Sequence, residues 1–473
     1  MKKFLVSAAA IAALATSAMA YDLYPKNSND LEQMDYNTSS ISSELNKAVA
    51  EENTGLIFPA YFVGNGWEST IKVVNTSNFP VVAKVVFYDA KDSHEVRDFN
   101  IYLSGNDVWT GTIKVDDDGV AKIISTDDSA PLEMKNNEYK MASADEPMKG
   151  KITSNKGYIE VIPMVQADTD AHGVSLRKAY IDFSYHERLV EGKTKNDVVF
   201  KNGVVQNNVV YTPYMKLDIN ATYDIDGDGK NGEHFKAVKA GALDGYIRIT
   251  DTVKGKDMIH KPVYVKFDTN TSGNMYGLVY LEGEKANLAD VTLENNGIDN
   301  KYDLAKLDEA VESLSVSKAY ITFGEASLNN MYALVTSPLK RVYVQQALMD
   351  NNTSAKAFEG YKLNKDGNDV ESYGYVTLVA QIFDNNENMA SASQFSPANT
   401  PTIKLYNEIS STGNDVNNDN HLAHYISQAG YSEGYAYVTR SGGNGVIPGI
   451  VTQMIATQAG GKVVTNWFDP VTR

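Results

Sequence analysis

The segment Asp224-Ile225-Asp226-Gly227-Asp228-Gly229-Lys230-Asn231-Gly232-Glu233 has the residue types and spacing that come closest to a chemical site. Carboxylates at alternate positions converge on one hard cation, as in the D-x-D-x-D-G opening of a calcium loop, and Gly229 allows the sharp turn. Asp224, Asp226 and Asp228 are the expected carboxylate ligands, Lys230 would offer its main-chain carbonyl, and Glu233 would close the set. The twelfth position is Phe235, where an EF-hand needs a bidentate Glu, and no helical pattern flanks the loop. Calcium is therefore the expected cofactor, held by an irregular loop. The alternative is an acidic, glycine-rich hairpin tip without a metal.

Other polar clusters carry less. Asp415-Val416-Asn417-Asn418-Asp419-Asn420-His421 repeats the alternation of oxygen ligands but has neither the Gly nor a late Glu. Asp116-Asp117-Asp118-Gly119 reads as a solvated turn, because adjacent acids point in different directions. His421 and His424 share a helix face at i, i+3, but the H-E-x-x-H pattern of a zinc protease is missing. There is no G-x-S-x-G elbow, and the Gly-rich stretches 64–66 and 442–445 lack the Lys-Ser/Thr of a phosphate loop. Sixty acids make no single carboxylate pair identifiable for glycoside hydrolysis. No catalytic residue is assigned, and a secreted hydrolase ranks behind non-catalytic roles.

The elements that would position such loops belong to an exported chain. Lys2 and Lys3, the apolar run Phe4–Leu14 and the Ala18-Met19-Ala20 ending read as a Sec-type signal peptide over residues 1–20, cut before Tyr21. Its apolar core is too short for a transmembrane anchor, and no later stretch is long and apolar enough for a spanning helix. Cleavage leaves 453 residues with a net charge of −19, too many for one ordinary core. So acidic a chain repels phosphate backbones, which argues against nucleic acid. It has no cysteine, hence no disulfide and no thiol nucleophile, and an envelope location in a bacterium fits best. An outer-membrane barrel is not supported, since the strand pattern is irregular and the chain ends Pro470-Val471-Thr472-Arg473 without an aromatic.

Residues 21–55 are polar and read as a leader or short helix. From Leu56 short β-branched and aromatic runs alternate with Gly, Asn and Asp turns: 69–74, 81–88, 97–103, 108–115 and 157–162, with Pro163 marking an edge or a bulge. Further runs follow at 179–185, 204–211, 246–250, 263–267, 276–281, 319–323, 376–383 and 434–438. One amphipathic helix, Asp303–Leu314, interrupts them with Leu304, Leu307, Val311 and Leu314 on one face. The polar segment 126–156 reads as a long loop. The aromatics are mostly Tyr, 29 of them, and those in strands pack cross-strand neighbours. The same rings could stack on sugars. Trp67 and Trp109 sit at strand starts and read as core anchors.

Two echoes suggest repeated units. Val376–Phe383 followed by Asp384-Asn385-Asn386-Glu387 resembles Lys84–Tyr88 followed by Asp89-Ala90-Lys91-Asp92, and Gly434-Tyr435-Ala436-Tyr437-Val438 resembles Gly157-Tyr158-Ile159-Glu160-Val161. Gly245-Tyr246-Ile247-Arg248-Ile249 is a third copy of the latter. The expected fold is all-β (mainly): two Ig-like β-sandwich modules, over 56–345 with long insertions and over 346–473, with an elaborated middle region and one short amphipathic helix.

A wider set of motifs runs along the chain: Phe58-Pro59-Ala60-Tyr61-Phe62-Val63-Gly64-Asn65-Gly66-Trp67, Leu103-Ser104-Gly105-Asn106-Asp107-Val108-Trp109, Val335-Thr336-Ser337-Pro338-Leu339-Lys340-Arg341, Leu405-Tyr406-Asn407-Glu408-Ile409 and Val446-Ile447-Pro448-Gly449-Ile450. In this order they resemble a family of uncharacterised secreted or cell-surface β-sandwich proteins of Gram-negative environmental bacteria. That resemblance implies location and architecture, and no activity. The family's usual aromatic after Lys340-Arg341 is Val342 here. The expected function is a non-catalytic structural or adhesive protein, assembled with calcium and partnered by the cell envelope or by itself. Its expected place is the cell surface or the extracellular space, with the periplasm as the other compartment. The alternative is a periplasmic or secreted module that binds a glycan or another ligand.

Overall fold

The computed structural model describes residues 54–76, 81–127, 134, 141, 156–167, 235–236, 243–266, 304–324, 331–350, 357–363, 370–411 and 421–468, apart from short gaps inside those spans. Strands dominate, and every pair is antiparallel. The chain is an all-β protein, with three short α-helices among the described residues. Sheet A orders β11 (Val263–Lys266), β1 (Thr54–Phe62), β7 (Lys156–Ala167), β3 (Val81–Asp89) and β4 (Glu95–Leu103), with β8 (Phe235–Lys236) on β7. Sheet B orders β10 (Lys256–His260), β9 (Leu243–Asp251), β2 (Trp67–Asn75), β5 (Val108–Val115) and β6 (Ala121–Ile124). Sheet C orders β12 (Lys318–Phe323), β19 (Gly434–Arg440), β16 (Val376–Asp384) and β17 (Thr402–Leu405). Sheet D orders β18 (Ile409–Ser411), β13 (Met331–Thr336), β20 (Ile450–Ala459) and β21 (Lys462–Phe468). A small hairpin joins β14 (Lys362–Leu363) and β15 (Val370–Ser372).

The strands form where apolar residues recur every second position. β2, β9, β16 and β19 bury alternate residues, so one face of each meets a core. Sheets A and B face one another through aromatic contacts. Phe99 on β4 meets Trp109 on β5 edge to face at 5.3 Å, and Phe62 meets Trp67 at 5.3 Å. Both tryptophans are buried, as core anchors. Between sheets C and D, the buried Gln453 side chain accepts a 3.1 Å bond from the Thr322 amide and donates to the Thr322 carbonyl, occupying part of the edge of β12.

The same eight-strand topology occurs twice. In chain order β1, β2, β3, β4, β5, β7, β9 and β10 correspond to β12, β13, β16, β17, β18, β19, β20 and β21. With that correspondence, the path β1-β7-β3-β4 in sheet A matches β12-β19-β16-β17 in sheet C, and β10-β9-β2-β5 in sheet B matches β21-β20-β13-β18 in sheet D. Register matches as well. Asp89 faces Gly157 and Tyr88 faces Tyr158, while Asp384 faces Gly434 and Phe383 faces Tyr435. The two sequence echoes therefore lie at equivalent places. The third, on β9, lies in sheet B and is a local likeness: Gly245 again sits against a neighbouring carbonyl, that of Lys72.

Three features depart from the sequence reading. β12 and β13 pair with β19 and β20, so the second half begins well before residue 346. Residue 346 itself lies inside a helix, α2 (Lys340–Met349). The single expected helix is present as α1 (Leu304–Leu314), but α2 and α3 (His421–Ala429) accompany it. The Val342-Tyr343-Val344 run in α2 has strand-forming residue types. It is helical because Lys340, Tyr343, Val344 and Ala347 then share one buried face. The third departure is within the expected loop 126–156, where Met134 and Met141 are buried and bond through their main chains to Ser125 and Ala121. Pro163 lies in β7 opposite a register shift at Val82/Ala83, so it marks a bulge. The strand runs 179–185, 204–211 and 276–281 lie outside the described residues.

Candidate functional site

The two halves meet at a buried polar junction, built from one face of sheet A and one end of sheet D. Tyr158, near the start of β7, is 1% exposed. Its hydroxyl lies 3.1 Å from the Pro338 carbonyl and 2.8 Å from the Ser93 hydroxyl. A carbonyl can only accept, so Tyr158 donates to Pro338 and Ser93 donates to Tyr158. Thr336 at the end of β13 donates to the Pro59 carbonyl at 2.7 Å, and the Ile409 amide at the start of β18 donates to the Ala90 carbonyl at 3.0 Å. Behind these bonds Ser337 is fixed twice. Its amide donates to the Glu408 carbonyl at 2.7 Å, and its hydroxyl donates to the Pro448 carbonyl at 2.6 Å. Lys340 donates to the Tyr406 carbonyl and lies 3.8 Å from the Glu408 carboxylate, both side chains being buried. β10 and β21, one from each half, also approach one another.

Burial and the neighbouring Glu160 carboxylate hold the Tyr158 phenol well above its ordinary range, with the Ser93 bond opposing. Tyr61 is raised for the same first reason, with Asp89 adding to it. At neutral pH the junction thus holds neutral phenols, and Tyr158 serves as a donor.

The outward side of sheet A is closed. Lys84, Val86 and Tyr88 on β3 are buried, as are Tyr158 and Glu160 on β7. Lys84 forms an ion pair there with Asp98 on β4. The equivalent side of sheet C is open. Val379 and Phe383 are half-buried and Gln381 is exposed, although each alternates with core residues. Four aromatics cross it. Phe383 stacks on Tyr435 at 4.9 Å, and Tyr320 lies 6.2 Å from Tyr435 and 5.2 Å from Tyr437. Lys318 sits 5.8 Å from the Tyr320 ring. The equivalent pair in the first half, Tyr88 and Tyr158, is stacked at the same 4.9 Å but buried.

The strand ends beside the two faces are equivalent too. Val74 pairs with Val108 as Thr336 pairs with Ile409. One residue on, the Asn75 amide donates to the Asp107 carbonyl at 2.9 Å, just as Ser337 donates to Glu408. Glu408 and Ile409 are fully buried at the junction, whereas Asp107 and Val108 are half-buried and Thr76 is exposed.

The expected calcium ligands Asp224, Asp226, Asp228, Lys230 and Glu233 lie outside the described residues, as do Asp415–Asn420. Among the described residues no group of three or more His, Asp or Glu side chains is arranged to hold a metal. His424 is exposed on α3, beside Tyr425 at 5.9 Å. Asp116 is a turn residue: its carboxylate accepts from the Val120 amide at 2.8 Å and pairs with Lys122 at 2.7 Å. No described helix is long and apolar enough to cross a membrane. Sequence reasoning missed the junction, because its partners are far apart in the chain. The one local signal was the twin Gly-Tyr starts of β7 and β19. Comparison with protein-family models, with curated proteins and with solved structures gives no match.

Proposed function

We propose that this chain is an exported, non-catalytic structural or adhesive protein of the bacterial cell surface or extracellular space. The observation that carries the proposal is the buried junction: bonds at Tyr158, Thr336 and Ile409 join the two β halves and favour one stiff body over two domains on a linker. Stiff tandem β units suit a component that bears load or spaces partners apart. The signal-like residues 1–20 and the acidic balance support export to a solvated surface. The resemblance to secreted β proteins of environmental bacteria and the Ig-like class belong to this proposal. So does calcium bound by Asp224, Asp226, Asp228, Lys230 and Glu233. The test is fractionation of native cells with and without a calcium chelator. Retention on the surface with release by chelator is expected, and a soluble pool indifferent to chelator would overturn the calcium-held surface role.

A second reading is glycan binding, supported by the aromatic row Tyr320, Tyr437, Tyr435 and Phe383 on an open sheet face. Retention on a polysaccharide array that is lost in Tyr437→Ala would support it.

A further inference from the structure

We propose that the outer edge of β12 accepts a further strand, and that this chain's own residues Val471-Thr472-Arg473 supply it. β12 ends the strand order of sheet C, with β19 as its strand neighbour among the described residues. Its equivalent in the first half, β1, lies between β7 and β11. β11 follows β10 after Lys261 and Pro262, and so crosses from sheet B to sheet A. The second half has the same lead-in: His260-Lys261-Pro262-Val263 is matched by Phe468-Asp469-Pro470-Val471. Residues 469–473 lie outside the described residues.

The match holds in register. Val74 and Thr336 are equivalent, and they face Asp244 and Ile450. Further along the same strands, Ile247 faces His260 and its equivalent Gln453 faces Phe468. Beyond His260, Val263 faces Ile57, which faces Glu160 on its other side. The equivalent of Glu160 is Tyr437, and it faces Tyr320. Val471 therefore falls opposite Tyr320, Thr472 opposite Ala319 and Arg473 opposite Lys318. The edge is within reach of the end of β21, because the Gln453 side chain already bonds the amide and the carbonyl of Thr322 on β12. Main-chain groups on one side of a strand recur every second residue, so those of Tyr320 and Lys318 point the same way as those of Thr322. Beyond them Val316 exchanges bonds with Ile447 at 3.1 and 2.8 Å. The stretch between, Lys318–Tyr320, is an open edge, and an open edge recruits a strand. Arg473 opposite Lys318 is a like-charge pair and weakens the seat. The seated strand denies other chains a template along β12 and sets Val471 beside Tyr320 at the border of the open face.

The chain has no cysteine, so a designed pair reads the register directly. Ala319 and Thr472 would form a non-hydrogen-bonded pair, the closer kind, within disulfide reach. Oxidation of the purified Ala319→Cys/Thr472→Cys chain in dilute solution should close a disulfide within one chain, read on a non-reducing gel. Ala319→Cys/Val471→Cys, one residue out of register, should close about tenfold more slowly or worse, because its side chains point to opposite faces. Equal rates for the two pairs would overturn the proposal. So would no closure in a chain whose circular dichroism matches the wild type, or a disulfide that links two chains, which would mean that a neighbour's strand fills the edge. Hydrogen exchange of the cysteine-free chain is the second measurement. The Tyr320 amide should be protected, and Val471→Pro, which removes an amide that donates to β12, should speed its exchange about tenfold. A Tyr320 amide that exchanges equally fast in both chains would also overturn the proposal. None of these readouts depends on where the cell places the protein.

Discussion

Tyr158 and Pro338 stand 180 residues apart in the chain, and the phenol of one donates a 3.1 Å hydrogen bond to the carbonyl of the other. That bond is buried and joins the two halves of the molecule. Removing the hydroxyl in Tyr158→Phe leaves the Pro338 carbonyl and the Ser93 hydroxyl without this partner, at a cost of about 1–3 kcal/mol. Urea unfolding should show a lower midpoint. Tyr437→Phe, on the half-exposed face, should change stability by no more than about 0.5 kcal/mol.

Gly157 and Gly434 open equivalent strands and face equivalent aspartates. A Cβ at Gly157 would overlap the Tyr88 carbonyl oxygen and press on the Tyr61 ring, and one at Gly434 would overlap the Phe383 carbonyl oxygen. Gly434 also has φ near +155°, which L side chains rarely adopt. Gly157→Ala and Gly434→Ala should each destabilise by about 3 kcal/mol or more, since main-chain atoms cannot step aside. Gly119 has positive φ but open space around it, so Gly119→Ala should cost only about 1 kcal/mol. Denaturation midpoints of the three variants give the comparison.

Two ion pairs differ in worth because they differ in burial. Asp98 is paired with the fully buried Lys84, and Asp98→Ala takes this carboxylate away from a buried ammonium, for a loss of about 3–5 kcal/mol. Arg248 and Asp257 form a two-pronged pair across β9 and β10, with bonds of 2.8 and 2.5 Å, but both side chains are about half exposed. Asp257→Ala should cost under about 1 kcal/mol and lose its effect in high salt. Chemical denaturation at low and high salt separates the two cases.

Alkaline pH should loosen the first half. Tyr61 and Tyr158 are held above the ordinary phenol range in the folded chain by burial, whereas an unfolded phenol ionises near about pH 10. Above that value the unfolded chain binds fewer protons than the folded one, so stability is full below it and falls as pH rises. Circular dichroism against pH should show cooperative unfolding that begins above about pH 10. Asp384 works in the acid direction. Bonds from the Asn388 side chain, then from the Asn388 and Asn386 amides, hold its carboxyl below the usual range, so the turn after β16 loosens only as pH falls below that range.

Sequence showed the fold where a strand has one wet face. β2 and β5 alternate cleanly, and their runs were legible to within two residues. β1 escaped notice because residues 55–62 are buried on both sides, so no alternation is left to read. Helix α2 was hidden by β-branched residues whose helical face exists only once the core is assembled. The twin Gly-Tyr motifs were visible, but a short motif that also occurs within β9 cannot by itself tell a repeated unit from a common strand pattern. Shared sheet order and register separate the two cases. Lys340 and Glu408 look like surface residues in sequence, but the fold buries them beside one another.

The account turns on equivalent tyrosines standing in opposite states, Tyr158 buried where the two halves join and Tyr435 half-buried on an open sheet face. Hydroxyl-radical footprinting of the mature chain in dilute solution, read by mass spectrometry, tests this directly. Tyr88 and Tyr158 should be protected. Tyr435 and Tyr437 should react. Tyr158 reacting as readily as Tyr435 would contradict the account.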